Sequence, residues 1–141
     1  RLALEPEAAA LAARRRSAAD VAELYALAER MAAPVNTAAS FAHHDLDFHL
    51  VVARASGNPF MRSISALIEA ALAAALRISS PADDPVKMAV SADEHRRIAA
   101  AIEAGDEDAA RAAMRQVIRA GADRVAGALG DTPSAAPGAR P

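Results

Sequence analysis

Alanine-rich stretches, punctuated by large apolar residues three and four positions apart, constrain this chain more than any other feature. Alanine has the highest helix propensity because it has almost no side-chain entropy to lose. No segment alternates with period two, and β-branched residues seldom run together, so strands have no pattern to form on. The 141 residues suit one domain with a real core. The reading is therefore an all-α, antiparallel bundle of about six to seven helices. Hydrophobic residues make up 53% of the chain but aromatics only 3%. Small side chains let helices approach closely, and the few large ones must shape any cavity.

Local signals divide the chain into helices. Glu5 to Arg16 reads as the first, with Pro6 tolerated in its opening turn and Leu4, Ala8, Leu11 and Ala12 as its apolar stripe. Arg14, Arg15 and Arg16 close it, either as cations matched to the negative helix end or with one of them turned inward toward an anion. Ser17-Ala-Ala-Asp20 resembles a capping box and opens a second helix to about Met31. Asn36, Thr37 and Ser40 are candidate caps of a third, which buries Phe41, Phe48, Val52 and Ala53 with Leu46 and Leu50 and stops at Ser56-Gly57-Asn58-Pro59. A fourth runs from about Pro59 to Ser79, with Phe60, Ile64, Leu67, Leu72 and Leu76 on a broad apolar face. A fifth begins between Val86 and Ser91, where Ser91-Ala-Asp-Glu94 is a second box-like cap, and ends at Gly105. Asp106 caps the last helix, which carries Ala110, Met114, Val117, Ile118, Val125 and Leu129. Residues 1–129 make the domain, and 130–141 have the composition of a disordered tail.

The chemistry concentrates between Phe41 and Pro59. Asp45 and His49 are four residues apart, hence one above the other on a single helix face. A carboxylate and an imidazole so placed reach one cation without bending the backbone, and nitrogen with oxygen ligands suits zinc and similar divalent ions. The same spacing also serves a simple hydrogen-bonded pair. Both lean toward the interior, where a carboxylate needs a partner. His95 shares a face with Ile98, Ala99 and Ile102, so the question is whether it faces Asp45 and His49. His43 and His44 fall on other faces of their helix and read as partly exposed polar residues. Arg16, Asn58 and Arg77 are candidate polar contacts for a bound ligand; for Arg77, a helix-end charge is the competing role.

Other classes are excluded. Sixteen Lys plus Arg against eighteen Asp plus Glu give a formal charge of −2, without the clustered positive face that nucleic acid requires. The absence of cysteine removes disulfides and thiolate metal sites and fits a reducing cytosol. No apolar run approaches the roughly 20 residues of a membrane span. There is no phosphate-binding glycine loop and no discernible nucleophile set. The start, Arg-Leu-Ala-Leu-Glu-Pro, has neither an initiator Met nor a signal-peptide core and reads as a piece of a longer protein.

Three motifs carry a resemblance. They are Asp45-Leu-Asp-Phe-His49 on a helix ending Ala-Ser-Gly-Asn-Pro, Asp93-Glu-His95-Arg-Arg-Ile, and Gly105-Asp-Glu-Asp-Ala-Ala-Arg-Ala-Ala-Met114. Together, over roughly residues 2 to 127, they resemble the C-terminal ligand-binding (FCD) domain of FadR-type regulators in the GntR superfamily of bacterial transcription factors. The resemblance implies a dimerising helical bundle that holds a small carboxylate or sugar acid, in a cytoplasmic protein whose N-terminal winged helix-turn-helix domain, absent here, binds operator DNA. It also implies a divalent metal, zinc foremost and nickel as another choice, held by one Asp and three His. Asp45, His49 and His95 match three of these ligands. The fourth falls at Val117, which cannot ligate, so the site is open to water or to effector oxygens, or is empty.

The leading expectation is therefore an effector-sensing, dimerising module and not an enzyme. It would bind an anionic metabolite at Asp45, His49 and His95, with no membrane partner and with DNA reached only through the missing domain. A structural dimerisation bundle with a vestigial pocket is the alternative, supported by Val117. A helical metal-dependent hydrolase is a third, weakened because Glu94, the one nearby general base, adjoins His95 and should point elsewhere.

Overall fold

The computed structural model describes residues 1–64, 67, 73, 77 and 80–130, and among them every regular element is a helix. α1 spans Glu5–Arg15, α2 Ala18–Ala32 and α3 Ala38–Ala55. α4 opens at Pro59 and is helical over residues 59–64. α5 spans Pro85–Ala104 and α6 Glu107–Gly130. Most of the remaining span of α4, with Leu72 and Leu76, lies outside the described residues, as does the expected tail from residue 131. The last helix runs through Gly130, one residue further than expected. No described helix is long and apolar enough to cross a membrane.

The boundaries follow from local hydrogen bonding. Ser17 and Asp20 form a reciprocal capping box on α2, and Thr37 and Ser40 do the same on α3. Gly57 and Gly105 take positive φ, 63° and 74°, the left-handed step that ends a helix without a Cβ clash. One start differs from expectation. Asp84 accepts from the amides of Val86 and Lys87, and Pro85 occupies the first turn. A carboxylate that satisfies two end amides, next to a residue with no amide to leave unpaired, starts α5 several residues before Ser91. Ser91-Ala-Asp-Glu94 is therefore inside the helix and is not a cap.

Charged and polar pairs fix the register. Glu7 meets Arg111 and Arg14 meets Glu107, so α1 and α6 run antiparallel. Arg54 near the end of α3 meets Asp20 and Glu23 at the start of α2. Tyr25 donates to Glu103, and Glu29 pairs with Arg96, which sets α2 antiparallel to α5. α1 and α3 run the same way, with Glu5 against His49 and Arg15 donating to the Ser56 carbonyl. These pairs are mostly exposed and each contributes little to stability; their use is in excluding other registers.

α1 packs against α3, α5 and α6, and α2 against α3 and α5. Ala9, Ala12 and Ala13 are completely buried on α1, which lets three neighbours crowd one slender helix. In the same core Leu24, Met31, Phe48, Ile98, Ile102 and Met114 are fully enclosed. Each such large side chain stabilises by about 1.5–3 kcal/mol relative to exposure. Phe60 and Leu67 depart from expectation: they are 75% and 77% exposed. An apolar stripe says which face water avoids, but only a packed neighbour covers it.

Candidate metal centre

α3 presents Asp45 and His49 on consecutive turns, and α5 brings His95 to meet them. All three are buried, with 5%, 7% and 0% of their surfaces exposed. One ligand atom from each lies within 4.8 Å of the others. The two imidazoles stand nearly perpendicular, 79° between planes and 5.6 Å between centroids. Phe48, on the same helix, presses edge-on against His95 at 4.9 Å and restricts its ring. Spacing along α3 brought two of these groups together; the packing of α5 on the bundle brought the third.

The hydrogen bonding around the triad determines which atoms face inward. His95 Nδ1 lies 2.7 Å from the Ser91 carbonyl oxygen. A carbonyl only accepts, so Nδ1 carries a proton and Nε2 is the edge turned to Asp45, 3.0 Å from Oδ1. That approach lacks hydrogen-bond alignment: among the described residues His95 Nε2 has no partner, nor do Asp45 Oδ2 and His49 Nε2. Three buried acceptor-capable atoms of the triad are thus left without hydrogen bonds among the described residues. Buried polar atoms without partners are costly and need an explanation. An unprotonated Nε2 against a carboxylate oxygen at that distance is repulsive, so a cation is required between them, either a proton on His95 or a metal ion.

A second layer lies behind His49. Its Nδ1 is 2.8 Å from Glu5 Oε2, as a close ionic contact and not an aligned hydrogen bond. Glu5 in turn receives Arg1 Nε and Nη2 at 2.7 and 3.1 Å. Burial raises the Glu5 carboxyl, but His49 and Arg1 outweigh it and bring it to about 2. Burial also raises Asp45, and the rings of His95 and His49 reverse this, holding it well below the usual carboxylate range. Burial and Arg1 push His49 below its ordinary value against the pull of Glu5 and Asp45. With neutral imidazoles, two carboxylates and one guanidinium leave the cluster one unit negative. This buried negative charge and the mixed nitrogen and oxygen donors suit a divalent metal.

The other candidates are placed elsewhere. Arg16 donates to the carbonyls of Ala13 and Glu103, capping two helix ends. Asn58 Oδ1 accepts from the Phe60 amide and builds the turn into α4. Arg77 is exposed. His43 is exposed and pairs with Asp47, and His44 is half-buried. Glu94 lines an outer groove of about 490 Å³ with Arg115, Arg119 and Asp123. Val117 is buried in the core on α6 and offers no donor atom. The sequence reading missed Arg1, Glu5 and the Ser91 carbonyl. Glu5 was detectable, since it shares a helical face with Ala8, Ala9 and Ala12, all buried.

No curated protein matches the chain. The model of the FCD domain family matches residues 1–120, a span containing every helix that contributes to the centre. All-helical architecture, the buried triad and this match agree: the chain belongs to the FCD domain family.

Proposed function

We propose that this domain is the effector-sensing part of a GntR-type transcriptional regulator, that it takes a small carboxylate or sugar acid, and that Asp45, His49 and His95 would hold a divalent metal, zinc first. The observation carrying this reading is that Asp45 Oδ2, His49 Nε2 and His95 Nε2 are buried in a net negative cluster without hydrogen-bond partners among the described residues, with a ligand atom of each residue within 4.8 Å of the others. A divalent ion bound there supplies positive charge for an anionic ligand. The chain's own groups do the rest. Ser91 and Glu5 hold the two rings, Phe48 walls one side, and Val117 leaves the fourth family position without a donor. Effector binding biases the helix arrangement only by its difference in affinity between two arrangements. In the full-length homodimer that bias would reposition the operator-binding domains. This is a cytoplasmic, non-enzymatic role.

Elemental analysis of the purified domain, followed by calorimetric titration with small hydroxy and keto acids in zinc-loaded and stripped protein, tests the reading. About one metal per chain and binding of at least one acid are expected. Binding by no acid in either state would overturn the sensor role. A second reading has one observation in its favour: with His95 as imidazolium, the 3.0 Å approach to Asp45 is a structural ion pair in a dimerisation bundle. Metal-free protein with unchanged stability after chelation would favour it.

A further inference from the structure

We infer that Glu5, clamped by Arg1, is a positioning residue that holds the His49 ring with its proton on Nδ1 and its Nε2 lone pair turned into the centre; the inference deepens the metal-binding reading and rests on it.

Two acidic residues stand in the first turn of α1, where carboxylates commonly do no more than match the helix dipole. Glu7 fits that description: it is exposed and pairs with Arg111 on the surface. Glu5 does not. Its side chain is 11% exposed and is gripped by two guanidinium nitrogens, Nε and Nη2, of a largely buried Arg1. A carboxylate buried to serve a dipole would forgo water for a small return. This one is aimed at a specific atom, His49 Nδ1 at 2.8 Å. An ionised carboxylate only accepts, so the proton between the two groups belongs to Nδ1. Nε2, which like Nδ1 has no aligned hydrogen bond among the described residues but faces no carboxylate at that distance, is then free to donate electrons. The Ser91 carbonyl accepts from Nδ1 of His95, so the two rings take the same tautomer from groups on two different helices. Outer partners of this kind set the ring orientation of ligating histidines, and losing one typically weakens metal affinity by about 10- to 100-fold.

Arg1 makes the arrangement directional. Its fork consumes both carboxylate oxygens from behind, which stops Glu5 from rotating to solvent. Its carbonyl accepts from the amides of Leu4 and Glu5, so the same residue closes the turn that begins α1.

The test uses Glu5→Gln, close in shape but carrying an amide that can offer its N–H to the ring, with Glu7→Gln as control. Long-range ¹⁵N–¹H NMR of the stripped proteins at pH 8 reads the His49 tautomer, and competition with a chromogenic chelator reads zinc affinity. The wild type and Glu7→Gln are expected to show Nδ1–H on His49. Glu5→Gln is expected to shift His49 toward Nε2–H and to bind zinc about 10- to 100-fold more weakly, with unchanged far-UV circular dichroism. Should Glu5→Gln misfold, Arg1→Gln gives the second variant, with a smaller loss of affinity expected. An unchanged tautomer and affinity in folded Glu5→Gln would overturn the inference. If the wild type binds no zinc, the metal reading fails by itself, while the tautomer comparison still decides the role of Glu5.

Discussion

His95 holds the charge balance of the buried cluster. Its Nε2 lies 3.0 Å from Asp45 Oδ1, and Asp45 is deeply enclosed. In metal-free protein, His95→Ala should therefore destabilise by about 3–5 kcal/mol, the range for stranding one member of a buried charged pair; urea unfolding measures it, and a loss under 1 kcal/mol would show that Asp45 is not relying on the ring. The acid response has a determined sign. Asp45 and Glu5 titrate below their ordinary 3.8 and 4.5 in the fold, so their stabilisation is present above those values and disappears as pH falls toward the folded ones. His49 also titrates below 6.5, so the unfolded chain gains its proton first and acid favours unfolding there too. Urea midpoints of stripped protein should decline from pH 7 to 5.5 and more steeply below 4.5. Val117→His tests the proposed fourth ligand position: zinc affinity should rise by about tenfold or more, ~1.4 kcal/mol, by competition titration. No gain would mean that position 117 does not reach the centre.

At the scale of elements, helix ends do more positional work here than helix faces. Arg14, Arg15 and Arg16 all leave the end of α1 for different partners: Glu107 on α6, the Ser56 carbonyl after α3, and the Glu103 carbonyl near the end of α5. The sequence offered either a solvated cationic terminus or an inward anion clamp; the structure uses these residues to tie helix ends together. Gly105 belongs to this scheme. Its φ is +74° and a Cβ there would lie 2.9 Å from Arg16 Nη1. Gly105→Ala should cost about 1–2 kcal/mol from the left-handed backbone alone, seen as a lower urea midpoint with an unchanged slope, because the Arg16 side chain can move aside. A neutral result would mean that the α5–α6 turn has another conformation open to it.

For the whole molecule, the centre joins three segments far apart in sequence: the first turn of α1, the middle of α3 and the middle of α5. Occupation should therefore stabilise the domain as a unit. At a free zinc concentration 100 times the dissociation constant, the gain is about 2.7 kcal/mol, a rise in Tm on the order of 5–10 °C for a domain of this size. Chelation should reverse it, and differential scanning calorimetry before and after stripping checks both. No shift in either direction would place the triad among structural ion pairs.

The helices, their caps at Ser17 and Thr37 and their glycine stops at Gly57 and Gly105 were legible in the sequence because each depends on hydrogen bonds or φ angles within about four residues. The pairing of Asp45 with His49 was legible for the same reason, since one helical turn sets their separation. The start of α5 was left between Val86 and Ser91 because the Ser91 box competed with Asp84-Pro85, whose cap and first-turn proline were the stronger local signal. The tertiary structure alone decided that His95 completes the triad, that the buried Glu5 lies against His49, and that Phe60 and Leu67 are exposed. Those outcomes depend on which helix lies against which, and periodicity marks a packed face without naming the segment that covers it.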